Sequence, residues 1–370
     1  NGDCSEINTM FVADLHNDVV QRAMIGEDIA QRTDVGHSDL VRLRESCIDL
    51  EILVVWASKT PPEGSAFVIA NAMYDAIEAL ATKNDFLTIP KTLNDITISK
   101  KNNQLSIPIA MEGGEALENS LEKLHHFIER GVFYLGPTWN YSLDWVSSGY
   151  DEVHNKKNIK HFGLSKFGQE VIHTCNDNGV MIDVSHVGEK SFWDIAAISK
   201  KPFIASHSSV YNLCTHFRNL KDDQILEIKK SQGLIGLNPY PFFIDSSFKK
   251  KEREFLKQFK NELDQITHKQ PNPTASWIAK QHYLQKKLED IVPLLDIFID
   301  HIEYIIKLIG VDYVGIGSDY DGLDCLPQGW NDCLDHIKIA EALENRGYST
   351  ADVEKVMGQN ILRVLDLVTN

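Results

Sequence analysis

The chain has 370 residues, 43% of them hydrophobic and 24% charged, a globular composition that excludes a disordered chain. Its 37 basic and 53 acidic residues give a formal charge of −16, which disfavours a nucleic-acid or anionic-membrane partner, since both need a basic surface. No run of 18 uncharged apolar residues exists, so no membrane span is expected.

Eight short apolar runs follow one another along the chain, at residues 10–15, 48–56, 107–111, 132–135, 179–184, 202–205, 233–237 and 311–317. Continuous apolar runs suit parallel strands buried on both faces. Segments of helical spacing separate them, as at 66–81, and in the last segment Val353, Val356, Met357, Ile361 and Leu365 share one face. Ser349 and Asp352 ahead of that face have capping-box form. Eight alternations predict a single (β/α)8 TIM-type barrel over residues 1–370, with a doubly wound open sheet as the alternative. Neither a Gly-x-Gly-x-x-Gly fingerprint nor a Walker A loop is present. Residues 241–307 interrupt the rhythm and read as a helical insertion between strands 7 and 8: a lid, a subunit contact or a solvated excursion. The six cysteines form no Cys-x-x-Cys pair and read as buried free thiols rather than zinc ligands.

The runs end in residues able to bind metal or move protons. The first ends in Asp14-Leu15-His16-Asn17-Asp18, the third in Glu112, the fifth in His186, the sixth in His207 and the eighth in Asp319. In a barrel these ends converge on one face. His16 and Asp18, two apart on a strand, point the same way and can grip one ion. Glu112, ahead of Gly113-Gly114, has two oxygens able to bridge two ions; its alternative is to start the next helix. A lone histidine at a strand end is more often structural, but two at successive ends facing a glutamate and a His-x-Asp pair are not lone. Imidazole and carboxylate without thiolate suit zinc or a similar divalent ion in a catalytic site. The second His-x-Asp triplet, His37-Ser38-Asp39, follows no apolar run and is expected at the surface; Asp321 is expected to be a turn residue. There is no Gly-x-Ser-x-Gly elbow, which argues against serine hydrolysis.

These residues, with Gly163-Leu164-Ser165-Lys166-Phe167-Gly168, Ser206-His207-Ser208-Ser209, Arg218-Asn219-Leu220, Gly315-Ile316-Gly317-Ser318-Asp319-Tyr320-Asp321-Gly322 and Asn360-Ile361-Leu362-Arg363-Val364, resemble the membrane dipeptidase (renal dipeptidase) family of zinc peptidases, within the amidohydrolase-like barrels. The pieces run in family order from residue 11 to near the end of the chain. The resemblance implies two zinc ions per chain, one held by His16 and Asp18, the other by His186 and His207, with Glu112 bridging. It implies hydrolysis of dipeptides (L-Xaa-L/D-Xaa) by a water shared between the ions, with Asp319 shuttling the proton and Arg218 binding the substrate carboxylate. Without it, Arg218 reads equally as a surface salt bridge to Asp222 or Asp223. Trp139 and Tyr240 are expected to line the substrate pocket, or to pack.

Two features depart from the mammalian pattern. Trp139 stands in Gly136-Pro137-Thr138-Trp139-Asn140 where those members carry a histidine. The mammalian disulfide pattern is not reproduced, and residues 362–370 are expected to carry no lipid-anchor signal. The resemblance suggests a homodimer and leaves cytoplasmic and exported locations both open. The alternatives to a working dipeptidase are a non-catalytic metal- or peptide-binding barrel and an amidohydrolase acting on N-acyl amino acids or cyclic amides.

Overall fold

The computed structural model describes residues 10–57 and 65–370. Its strands are β1 (Ala13–Asn17), β2 (Leu50–Trp56), β3 (Leu87–Thr88), β4 (Leu105–Ser106), β5 (Ile109–Glu112), β6 (Tyr134–Gly136), β7 (Met181–Asp183), β8 (Phe203–Ser208), β9 (Leu234–Leu237) and β10 (Val314–Ile316). Pairing is parallel throughout, in the order β1-β2-β5-β6-β7-β8-β9-β10. The sheet curls until its ends meet. Asp18 donates its N–H to Tyr320 O at 2.8 Å and Asp319 donates to His16 O at 3.0 Å, closing β1 against the chain just past β10. This is an eight-stranded TIM-type barrel, and the open-sheet alternative is excluded.

The alternation of side chains along β2 explains the continuous apolar runs. Leu50, Ile52 and Val54 point into the barrel, where they meet Leu15, Ala110, Met181 and Ile204. Leu53 and Val55 point outward into the layer beneath the helices. Successive strand side chains face opposite ways, so a strand buried on both faces needs apolar residues at every position. Burying each such side chain contributes about 1.5–3 kcal/mol.

The third run is split. β4 pairs with β2 at Leu50↔Ser106, β5 takes over from Leu53↔Ile109, and Pro108, which has no N–H, stands between them. β3, only two residues long, pairs with β4 outside the barrel order.

The end of the chain closes one mouth of the barrel. The helix Asn360–Thr369 buries Ile361, Leu365 and Val368 in the interior cluster. Asn360 Nδ2 donates to Val311 O and Val314 O at 2.8 Å, and Arg363 Nη2 to Gly233 O at 2.9 Å. Val311 and Gly233 precede β10 and β9, so this helix covers the N-terminal ends of the strands and leaves the C-terminal ends open.

Between β9 and β10 the chain forms the helices Pro241–Ile244, Phe248–Leu256, Lys260–Lys269, Pro273–Gln285 and Leu295–Ile309. The last buries Phe298, Ile299, Ile302, Ile305 and Ile309 in the outer barrel layer. Phe248, Leu284, Leu288, Val292 and Cys325 form a separate small core.

Two expectations are corrected. His37, Ser38 and Asp39 are buried, not at the surface. Asp321 is the reason: besides turning the chain at φ 62°, it accepts from His37 N at 2.8 Å and Ser38 Oγ at 2.9 Å and lies 3.4 Å from Arg22 Nη1. It is therefore an anchor as well as a turn residue. Cys175, Cys214, Cys325 and Cys333 are buried free thiols, but Cys47 is disulfide-bonded; Cys4 lies outside the described residues.

Candidate active site

At the open end of the barrel, His16 lies in β1 and Asp18 follows it, Glu112 ends β5, His186 follows β7 and His207 lies in β8. The five side chains are buried and meet. Glu112 Oε1 lies 2.9 Å from His186 Nε2, 3.5 Å from His207 Nε2 and 3.6 Å from His16 Nε2. His16 Nε2 is 3.5 Å from Asp18 Oδ2. The ligand-type atoms of His16, Glu112 and His207, and those of His16, Asp18 and Asp319, lie within 4.8 Å of one another.

The hydrogen bonds behind the rings fix which nitrogen faces the cluster. Tyr134 Oη donates to Leu15 O at 3.1 Å, so it accepts from His16 Nδ1 at 2.8 Å. Ser206 Oγ donates to Asp183 Oδ2 at 2.7 Å, so it accepts from His207 Nδ1 at 2.7 Å. Asn140 Oδ1 accepts from His186 Nδ1 at 3.2 Å. Each imidazole thus has its Nδ1 proton engaged behind the ring and turns Nε2 inward, the orientation that ligating histidines adopt. The buried His16 Nε2 has no hydrogen-bond partner. This donor set of three imidazole nitrogens and two carboxylates, with no thiolate, fits zinc or a similar divalent ion.

Electrostatics point the same way. Burial, with the positive field of Arg218 and His16, holds His186 and His207 well below the ordinary histidine pKa, so both are neutral and able to ligate. Burial opposes a charge on His16, but Glu112, Asp18 and Asp319 outweigh it and hold its pKa up at about 10. Burial pushes Glu112 well up; His16 opposes this, and Asp18 and Asp319 add to it. The cluster is a group of carboxylates that demands positive charge.

Asp183 ties the two histidine-bearing strand ends together. Its Oδ1 accepts from Ser185 N at 3.1 Å, Ser185 Oγ at 2.7 Å and Ser206 N at 2.8 Å. Ser185 Oγ in turn accepts from His207 N at 3.0 Å.

Asp319 sits at the edge of the cluster in a left-handed conformation, φ 59°, which aspartate tolerates better than most residues. Burial raises its pKa to about 7, with His16 opposing. Asn238 Nδ2 donates to its Oδ2 at 2.9 Å. Gly322 makes room: a Cβ there would stand 2.1 Å from Asp319 Oδ1 and 2.4 Å from Asp18 Oδ2.

Arg218 is 4% exposed, and no carboxylate stands within ion-pairing distance of it among the described residues. Nη1 donates to Ser185 O and, at 3.3 Å, to Ser208 Oγ; Nη2 donates to His207 O at 3.0 Å. Burial lowers its pKa to about 10. It is therefore not the surface salt bridge that the sequence also allowed. Asp222 instead accepts from Asn212 Nδ2 and Tyr304 Oη.

One cavity of about 700 Å³ joins these groups. Asp18, Glu112, His186, His207, Arg218 and Asp319 line it, as do Trp139 and Tyr240. His16 lies beneath. The structure therefore brings together the residues expected to hold metal, shuttle the proton and bind substrate. Sequence reading gave no role to Tyr134, Asn140, Asp183, Ser206 or Asn238. Only Asp183 leaves a local signal, a carboxylate between Ile182 and Val184 in an apolar run.

The sequence profile described as Membrane dipeptidase (Peptidase family M19) matches residues 6–370. Dipeptidase tcpJ of Claviceps purpurea is 30% identical over 254 residues, 69% of this chain and 49% of its own length. Dipeptidase 3 of Mus musculus is 26% identical over 330 residues, 89% of this chain and 57% of its own length. The chain thus spans about half the length of these curated relatives. The crystal structure of the probable dipeptidase PvdM from Pseudomonas aeruginosa shares the fold with a TM-score of 0.79 at 24% identity, covering 99% of this chain and 97% of that one. Among the described residues no helix is long and apolar enough to cross a membrane.

Proposed function

The chain belongs to the membrane dipeptidase family, peptidase family M19, and from that premise we propose that it hydrolyses the peptide bond of dipeptides (L-Xaa-L/D-Xaa) with two zinc or similar divalent ions. His16 and Asp18 would hold one ion, His186 and His207 the other, and Glu112 both. The chemistry such a pair supplies when bound is Lewis acidity: a polarised carbonyl and a water that loses its proton near neutral pH.

The chain's own residues do the rest. Arg218 binds the terminal carboxylate of the substrate. Its backbone-carbonyl contacts fix the guanidinium, and Nε donates to nothing among the described residues, so a donor remains for the ligand. A clamp on the free carboxylate selects dipeptides over long chains. Asp319 takes the proton of the attacking water and delivers it to the leaving amine. Its carboxylate can accept and return a proton, and Asn238 holds Oδ2, leaving Oδ1 for the proton. Trp139 and Tyr240 flank the substrate and exclude water.

One observation carries this reading: a buried ligand cluster and a buried arginine lacking an ion-pair partner face one cavity. Together they match a metal-dependent attack on a substrate that ends in a carboxylate. The test is hydrolysis of a dipeptide panel by protein treated with chelator and then reloaded with zinc. Turnover abolished by the chelator and restored by zinc is expected; no turnover of any dipeptide by the zinc-loaded protein would overturn the reading.

A further inference from the structure

We infer that this site selects dipeptides with a large aromatic side chain on the amino-terminal residue, and that Trp277 is a specificity-determining wall of the pocket. The inference rests on the dipeptidase reading and adds a substrate class to it.

The cavity, about 700 Å³, falls in the ~300–1,000 Å³ range of pockets that enclose drug-sized ligands, roomier than two small residues require. Nine of the 22 described residues lining it are aromatic, against 9% of the chain. Apart from Trp277, these rings divide into two sets. One lies at Arg218: its guanidinium is 5.5 Å from the Phe243 ring centre, which is 4.7 Å from His216 and 5.1 Å from Tyr240. A carboxylate bound to Arg218 puts the carboxy-terminal residue there.

The other set lies by the metal-type cluster. Trp139 is 6.3 Å from the His186 ring, 4.9 Å from Trp56 and 5.3 Å from Tyr141, meeting the last two edge to face at 67°. With the scissile bond at the cluster, the amino-terminal side chain lies along these rings. Aromatic rings pair best in this edge-to-face geometry. The set offers no charge of its own to a charged side chain: the amide of Gln21, which also lines the cavity, donates to Trp56 O at 3.0 Å.

Trp277 enters from the helix Pro273–Gln285, between β9 and β10. Asn272 caps that helix by accepting from Ala275 N at 2.9 Å, and Asn272, Pro273, Thr274 and Trp277 all line the cavity. The far end of the helix is fixed to the barrel. Gly36 N donates to Gln285 Oε1 at 3.0 Å, and His282 lies 3.6 Å from Glu27. Trp277 and Tyr141 are each 41% exposed although they line a pocket. Large aromatic surface left in water at a pocket mouth gains when an apolar side chain covers it.

The experiment compares kcat/KM of the zinc-loaded enzyme for Phe-Ala, Ala-Phe and Ala-Ala, in the native chain and in Trp277→Ala and Trp277→Phe. The native enzyme is expected to favour Phe-Ala over Ala-Ala by about tenfold or more, Ala-Phe reporting on the separate ring set at Arg218. Trp277→Ala should cut the Phe-Ala to Ala-Ala ratio by about fivefold, chiefly through KM, and Trp277→Phe should restore most of it. The half-exposed position lets either variant fold, which circular dichroism checks. Equal efficiency on all three dipeptides, or a ratio unchanged in Trp277→Ala, would overturn this inference and leave the dipeptidase reading standing. No turnover of any dipeptide would overturn both.

Discussion

The Nε2 atoms of His186 and His207 face each other at 3.0 Å. Both rings give their Nδ1 protons away, to Asn140 and Ser206, so two lone pairs meet beside the Glu112 carboxylate. Neither nitrogen has a proton to give the other, so the two lone pairs repel unless a cation or a proton lies between them. The relationship makes the pair a ligand set rather than a hydrogen bond.

Asp183 holds that pair in register without facing the cavity. Its two oxygens accept from Ser185 and Ser206 and so orient both histidines. Asp183→Asn replaces an acceptor by an amide donor and should weaken zinc binding by about 10–100-fold. Competition with a chelator of known affinity measures this; native affinity in the variant would remove Asp183 from the metal site's support.

Asp319→Asn keeps the shape but cannot carry a proton. We expect kcat to fall by about 10²–10⁴-fold, with zinc content unchanged by elemental analysis. Loss of the metal with the activity would make Asp319 a ligand, which its position within 4.8 Å of His16 and Asp18 also permits sterically.

Arg218→Lys keeps the charge and loses the planar fork. KM for a free dipeptide should rise by about tenfold or more, that is by at least ~1.4 kcal/mol of binding, while the carboxy-amidated dipeptide should respond little. Equal effects on the two substrates would contradict a carboxylate clamp.

At His301 and His336 mild acidification should cost stability, opposite in sign to the raised carboxyls of Glu112 and Asp319. Burial lowers His301 to about 4 and His336 to about 3, against about 6.5 when unfolded. Between these values the unfolded chain binds more protons than the folded one, so stability declines as pH falls through 6.5. The loss is up to about 1.4 kcal/mol per histidine per pH unit. His301 is held neutral by accepting from Val210 N and donating to Ile244 O. From pH 7.5 to 5 the melting temperature of the metal-stripped protein should change less unfavourably in His301→Gln than in the native chain; identical slopes would show that His301 is not a source of the loss.

The barrel is legible in the sequence because a strand buried on both faces leaves an apolar run, as at Ile52–Trp56 in β2. The site is legible because a polar residue ending such a run, Glu112 or His186, falls at the open mouth of the barrel. What escapes is held by distant partners. The burial of His37 and Ser38 depends on Asp321, 284 and 283 residues away, and the tautomer of His16 on Tyr134, 118 residues away. β3, at two residues, is too short to show a period. Trp277 lies in the helical insertion between β9 and β10, where nothing local marks it as facing a pocket.

The most direct measurement is anomalous diffraction at the zinc edge from crystals of the zinc-loaded protein. The account predicts two peaks per chain that share Glu112, one against His16 and Asp18, the other against His186 and His207. An absence of peaks there, or zinc bound only elsewhere on the molecule, would contradict it.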